Sequence, residues 1–146
     1  MPRLERPLTP GQGAVVEVVV GLSLPEQHYQ QFKKQPIPSP LKTQAVIDTG
    51  ADKTIVRTSV LASLGTPSWR PVTLLPLMGA NQTTGMHRVS LEILGFPSQV
   101  KFDKVEVLAY DDVRNHGIDV LIGCDLLDQG AFDYNRPPGH FTLEFP

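Results

Sequence analysis

Hydrophobic positions in this chain fall into short runs rather than long periodic stretches. Residues 14–22 hold five valines in nine positions, and that density of β-branched side chains predicts a strand. Residues 43–47 and 119–122 end in the short apolar runs Ala45-Val46-Ile47 and Val120-Leu121-Ile122, as expected of buried strands. Residues 87–93 and 100–109 alternate polar and apolar, the pattern of a strand with one wet face. Residues 54–56 and 72–77 predict two more strands, and residues 131–134 and 141–145 a final hairpin across residues 135–139. Residues 25–40 break the pattern with a polar run and then Pro36, Pro38 and Pro40 at alternate positions, which reads as a surface insertion with one helical turn. Residues 59–64 suit a short helix stopped by Gly65, with Pro67 just beyond, and residues 124–129 a short helix near the C-terminus. Residues 1–13 read as an extended N-terminal arm and residues 14–146 as a single domain. The expected fold class is all-β with one short C-terminal helix.

Composition supports that reading and removes several function classes. Fourteen prolines and twelve glycines leave little room for long helices. A formal net charge of -2, with no dense Lys/Arg cluster, gives no footprint for nucleic acid or an anionic membrane. No apolar run approaches the roughly 20 residues of a membrane-spanning helix. No apolar core for a signal peptide precedes residue 14, and Cys124 is the one cysteine, so a reducing, cytoplasmic setting is expected. The four histidines, His28, His87, His116 and His140, lack ligand spacing, and no metal site is expected.

The chemistry concentrates in Asp48-Thr49-Gly50, behind Ala45-Val46-Ile47 and in front of Ala51-Asp52. An acidic residue in a tight turn at the end of a buried strand is placed to act as a catalytic carboxylate. Two carboxylates a few ångströms apart cannot both ionise, so one can accept a proton from water while the other holds one to donate. That chemistry needs two copies, and this chain carries one.

The run 45–56, Ala-Val-Ile-Asp-Thr-Gly-Ala-Asp-Lys-Thr-Ile-Val, resembles the active-site signature of the retropepsin family, the retroviral-type aspartic proteases and their cellular relatives. Residues 120–127, Val-Leu-Ile-Gly-Cys-Asp-Leu-Leu, look like its apolar-apolar-Gly strand and C-terminal helix, and residues 74–93 hold the position of its flap hairpin. The resemblance implies a closed β-barrel of the acid-protease half type, an aspartic endopeptidase acting on polypeptides, a homodimer with Asp48 paired across a two-fold axis, and no cofactor. It assigns catalysis to Asp48, Thr49 and Gly50, with Thr49 bonding across the axis and Gly50 admitting the substrate backbone. It assigns substrate contacts to Ala51, Asp52, the flap residues Gly79, Ala80 and Asn81, and Tyr110 and Val113 in a pocket wall. A hydroxyl at position 51 would stabilise the charged carboxylate. Ala51 lacks one, so activity is expected at mildly acidic rather than only strongly acidic pH. Cys124 stands where retroviral members carry an arginine that pairs with the acidic residue at position 52, leaving Arg6, Arg57 or Arg88 as partners for Asp52. Residues 141–145, and less clearly residues 2–8, are candidates for a strand shared between subunits.

Two other readings compete. One is a retropepsin-like dimerisation or peptide-binding domain without catalysis, and the other a β-rich ligand-binding domain in which Asp-Thr-Gly is only a turn. Cys124 reads as a small packed side chain rather than a nucleophile.

Overall fold

A computed structural model describes residues 1–74, 82–111 and 117–146. The apolar runs become ten strands among the described residues: β1 (Arg3–Pro7), β2 (Val15–Leu22), β3 (Leu41–Ile47), β4 (Ile55–Arg57), β5 (Arg70–Leu74), β6 (Gln82–Ile93), β7 (Val100–Tyr110), β8 (Ile118–Ile122), β9 (Ala131–Asn135) and β10 (His140–Glu144). Seven lie in one sheet in the order β2-β3-β8-β4-β7-β6-β5, and β2 also pairs with β6, Val18 opposite Ile93 and Leu22 opposite Val89. That second pairing closes six of the strands into a barrel and leaves β5 as an appendage of β6. Closure removes the exposed edges that an open sheet of this size would present. The all-β expectation is met.

Inward side chains fill the barrel. Val18, Val20, Val56, Val89, Leu91, Val107 and Ile122 are fully buried, in agreement with the predicted runs. The alternation of β7 is visible at Val105 and Val107, buried on either side of the half-buried Glu106, and gives way to continuous burial at Leu108 and Ala109.

The remaining strands form a separate sheet, β1-β10-β9. Its middle strand buries Phe141, Thr142 and Leu143 in succession, because both of its edges are paired and the barrel lies beneath it. Phe145, just beyond, meets Phe96 and Phe102 edge to face at ring-centroid distances of 6.1 and 5.5 Å, the orientation favoured by aromatic quadrupoles. The N-terminal arm is therefore not free. It is extended as expected, but Arg3 lies opposite Glu144 and Pro7 opposite His140 in the chain's own sheet, with Leu4 buried.

Three helices occur among the described residues, α1 (Leu24–Phe32), α2 (Thr58–Leu64) and α3 (Cys124–Leu127), the last two where residues 59–64 and 124–129 suggested them. α1 is the larger surprise, because it occupies the insertion and buries no residue. Its cause is local. Ser23 accepts the Glu26 amide, Pro25 sits in the first turn, and Ser23-Leu24-Pro25-Glu26 has the Ser-x-x-Glu spacing of a capping box. α2 ends, as its sequence predicts, at Gly65 with φ 69°.

Phe141→Ala should cost about 3–5 kcal/mol of unfolding free energy, the range for emptying a buried aromatic site. Phe32→Ala, at a side chain 84% exposed, should stay within about 0.5 kcal/mol of wild type. Urea unfolding of both variants checks the contrast.

Candidate active site

The strand β3 runs in parallel with β8, Ala45 opposite Val120 and Ile47 opposite Ile122, and the two strands end together. The polar loop at residues 48–52 leaves that end. Asp48 begins it with its amide donating to the Ile122 carbonyl at 2.9 Å, so the residue is fixed to the last rung of the ladder. Its carboxylate turns back on the loop and accepts the Gly50 amide through Oδ1 at 2.9 Å, while the Ala51 amide donates to the Asp48 carbonyl at 3.2 Å. A carboxylate held by a main-chain N–H keeps one orientation without a neighbouring side chain. Asp48 is half-buried; Thr49 and Gly50 are exposed beside it.

The loop is locked from the other side by the start of α3. The Cys124 amide donates to the Ala51 carbonyl at 2.8 Å and the Asp125 amide to the Asp52 carbonyl at 3.2 Å. A Cβ at Gly123 would lie 2.7 Å from the Lys53 carbonyl carbon and 2.8 Å from the Ala51 oxygen, so only glycine permits this approach. Thr54, wholly buried, ties the two segments together. Its hydroxyl donates to Asp125 Oδ1 at 2.8 Å and accepts the Gly123 amide at 3.2 Å. Asp125 in turn accepts the Leu126 amide at 3.0 Å. Sequence reasoning assigned no role to Thr54 or Asp125. The available signal was a hydroxyl at the head of the apolar run Thr54-Ile55-Val56, where a buried polar group must find partners.

The other expected site residues divide. Asp52 is exposed next to the loop, and no ion pair forms at it among the described residues. The expected arginine partners are engaged elsewhere. Arg57 donates to Asp119 Oδ1 at 2.8 Å and to the Ile118 carbonyl, Arg88 lies 4.4 Å above the Trp69 ring, and Arg6 donates to the Glu5 carbonyl. Tyr110 is the last residue of β7, opposite Arg57 and partly exposed. Gly79, Ala80, Asn81 and Val113 lie outside the described residues. The strands flanking the first three pair as an antiparallel hairpin, Leu74 opposite Gln82 and Arg70 opposite Met86. No cluster of side chains able to hold a metal ion occurs among the described residues.

Cys124 is half-buried, and its thiol donates to the Thr49 carbonyl at 3.3 Å. Loss of solvent, followed by the nearby carboxylates of Asp128, Asp52, Asp125 and Asp48, pushes this thiol above its ordinary range. A raised value leaves less thiolate at any given pH. At neutral pH iodoacetamide should therefore modify Cys124 more slowly in the folded chain than in the unfolded chain; equal rates would contradict the assigned surroundings. Thr54→Val removes the one group that satisfies Gly123 and Asp125 together. It should cost about 1–3 kcal/mol, and Thr54→Ser should recover most of that loss in the same thermal-unfolding series.

A half-buried carboxylate, a glycine turn and a lock from a second strand–helix junction thus stand together where β3 and β8 end. Comparison with known proteins gives the family. The family profile described as aspartyl protease matches residues 40–126, which takes in the carboxylate loop and the first residues of α3. Among curated proteins none matches the chain in sequence. Among solved structures the chain is similar to the crystal structure of a retropepsin-like aspartic protease from Rickettsia conorii, with a TM-score of 0.57 and 12% identity over 98% of this chain and 90% of that one. The chain thus belongs to the aspartyl protease family, and its fold is retropepsin-like.

Proposed function

We infer that the chain is an aspartic endopeptidase, active as a homodimer in which two copies of Asp48 share one proton. The observation that carries this reading is the fixed Asp48 carboxylate, accepting the Gly50 amide at 2.9 Å, in a chain with one Asp-Thr-Gly. An ionised Asp48 takes a proton from a water molecule seated between the two carboxylates. The water oxygen attacks the scissile carbonyl carbon, and the protonated Asp48 of the other subunit donates to the carbonyl oxygen. The resulting diol collapses as the Asp48 that took the water proton passes it to the amide nitrogen, which leaves as amine. The other Asp48 takes a proton back from a diol hydroxyl, and the pair again holds one proton. No bond forms between enzyme and substrate.

Thr49, exposed at the tip of the loop, would bond across the dimer axis and keep the two carboxylates at a fixed separation. Gly50 leaves room for an extended substrate backbone. Asp52, free of an ion pair among the described residues, is available to receive substrate main-chain amides. The β5–β6 hairpin, whose strands precede and follow residues 79–81 in sequence, would serve as the flap, closing over a bound polypeptide and excluding bulk water. Tyr110 and Val113 would contribute to a side-chain pocket wall. The single cysteine suits a reducing, cytoplasmic setting.

A peptide library incubated with wild type and Asp48→Asn, with pepstatin as a probe, tests the mechanism. Asn cannot carry the shared proton, so cleavage should fall by about 10⁴-fold; cleavage that persists in the variant removes the mechanism. An inactive wild type would favour a peptide-binding or dimerisation role for the same fold. The pH dependence supplies a separate check. With Ala51 in place the optimum should be mildly acidic. Ala51→Ser adds a donor to the charged carboxylate, favours the ionised form, and should move the acid limb of the pH–rate profile to lower pH. A limb that moves upward or stays fixed would show that residue 51 does not face the dyad.

A further inference from the structure

Trp69 is the chain's one tryptophan. It stands just ahead of β5 at the base of the β5–β6 hairpin, its amide donating to the Met86 carbonyl at 2.9 Å. Two arginines share its ring. The Arg88 guanidinium carbon lies 4.4 Å from the ring centroid and that of Arg70 5.0 Å, within the reach of cation–π attraction. The ring is 40% exposed, and Arg70 is exposed beside it.

Neither guanidinium pairs with a carboxylate among the described residues. Glu106 stands opposite Arg88 across the β6–β7 ladder, yet no ion pair joins the two. Arg88 Nε is buried without a hydrogen-bond partner, and a buried donor left idle costs free energy. Stacking on an aromatic face uses the flat side of a guanidinium and leaves the N–H groups around its rim unspent. Two like charges held by one ring also repel each other. An anion seated against them relieves the repulsion and takes up the idle donors.

A carboxylate matches the guanidinium fork with two parallel hydrogen bonds, and a phosphate group does the same. The surroundings separate the two. A nucleic acid needs a basic track along its backbone, and a net charge of -2 with no dense Lys/Arg cluster provides none. The acidic side chains of a polypeptide need only this local pair.

We propose that Trp69, Arg70 and Arg88 form a docking site for an acidic segment of a polypeptide substrate. The occupant rests on the endopeptidase reading, in which the same hairpin covers the substrate as the flap. A polypeptide that extends beyond the cleft then has a second place to bind on the same element. Docking there raises the effective concentration of the scissile segment without touching the reacting atoms, so it acts on KM rather than on kcat.

Isothermal titration calorimetry with an acetylated, amidated hexaglutamate peptide at low salt tests the site. Trp69 emission, to which no other tryptophan contributes, reports where the peptide binds. Binding should saturate, shift that emission and weaken as salt rises. Arg88→Gln should weaken it by about ten-fold or more, the scale of hydrogen bonds to a charged group. Arg70→Gln, at an exposed side chain, should act in the same direction and keeps the test intact if the Arg88 variant fails to fold. A hexaglutamine peptide should change neither heat nor emission. No hexaglutamate binding up to the millimolar range, or binding as tight in the folded variants as in wild type, overturns the proposal. Inorganic phosphate or an oligothymidylate that binds more tightly at equal ionic strength also overturns it, in favour of a phosphate site. In a cleavage assay, a hexaglutamate tail on a cleaved peptide should lower KM for wild type at unchanged kcat and lose that effect in the variants. A tail without effect on KM at either end of the peptide overturns the assignment to substrate. If wild type cleaves no peptide, the endopeptidase reading falls, and calorimetry still decides whether the acidic segment docks.

Discussion

The bond between the Thr54 hydroxyl and Asp125 is the contact on which the arrangement of the site depends. Thr54 lies at the far end of the carboxylate loop, and Asp125 lies in the first turn of a helix that follows a strand from the other end of the sequence. The same hydroxyl accepts the Gly123 amide. The loop is thereby clamped between β3, which delivers it, and α3, which closes over it. A buried hydroxyl with neither partner would cost free energy, so the pair is self-enforcing: each segment supplies what the other would lack.

The clamp also explains why Asp48 needs no charged neighbour to hold it. Its amide belongs to the β3–β8 ladder and its carboxylate to the Gly50 amide. Where a retroviral arginine would stand, Cys124 uses its amide on Ala51 and its thiol on Thr49. Position 124 thus stabilises the loop through hydrogen bonds to its main chain, and the acidic side chain at position 52 stays exposed.

Much of the fold was legible because strands announce themselves locally. The valine run of β2 and the alternation in β6 and β7 report burial at each residue, and every predicted apolar run within the described residues became a strand. Pairing was not legible. Nothing in Val120-Leu121-Ile122 says that it lies between β3 and β4, parallel to one and antiparallel to the other. α1 was read as a single helical turn because a solvent-facing helix carries no hydrophobic period, although its Ser-x-x-Glu start was present to be read. Where the N-terminal arm pairs was not legible for a related reason: Leu4 is its one buried side chain, too little to say which strand it joins. At the site, Asp-Thr-Gly was recognisable as a motif, whereas its support by Thr54 and Asp125 exists only once residues far apart in sequence meet.

That separation has a consequence for the order in which the molecule acquires competence. The parallel partner of β3 is β8, and the pieces that lock the loop come after it, so a nascent chain carries Asp48 long before it carries the means to orient it. Contacts between such distant segments are slow to form, because the intervening chain must first surrender its freedom. During synthesis the carboxylate is an ordinary aspartate on an unfinished barrel. The loop that holds it is locked only when the last third of the polypeptide has emerged and folded back, so a fragment truncated before β8 carries the acid without the β8 rung and the α3 clamp.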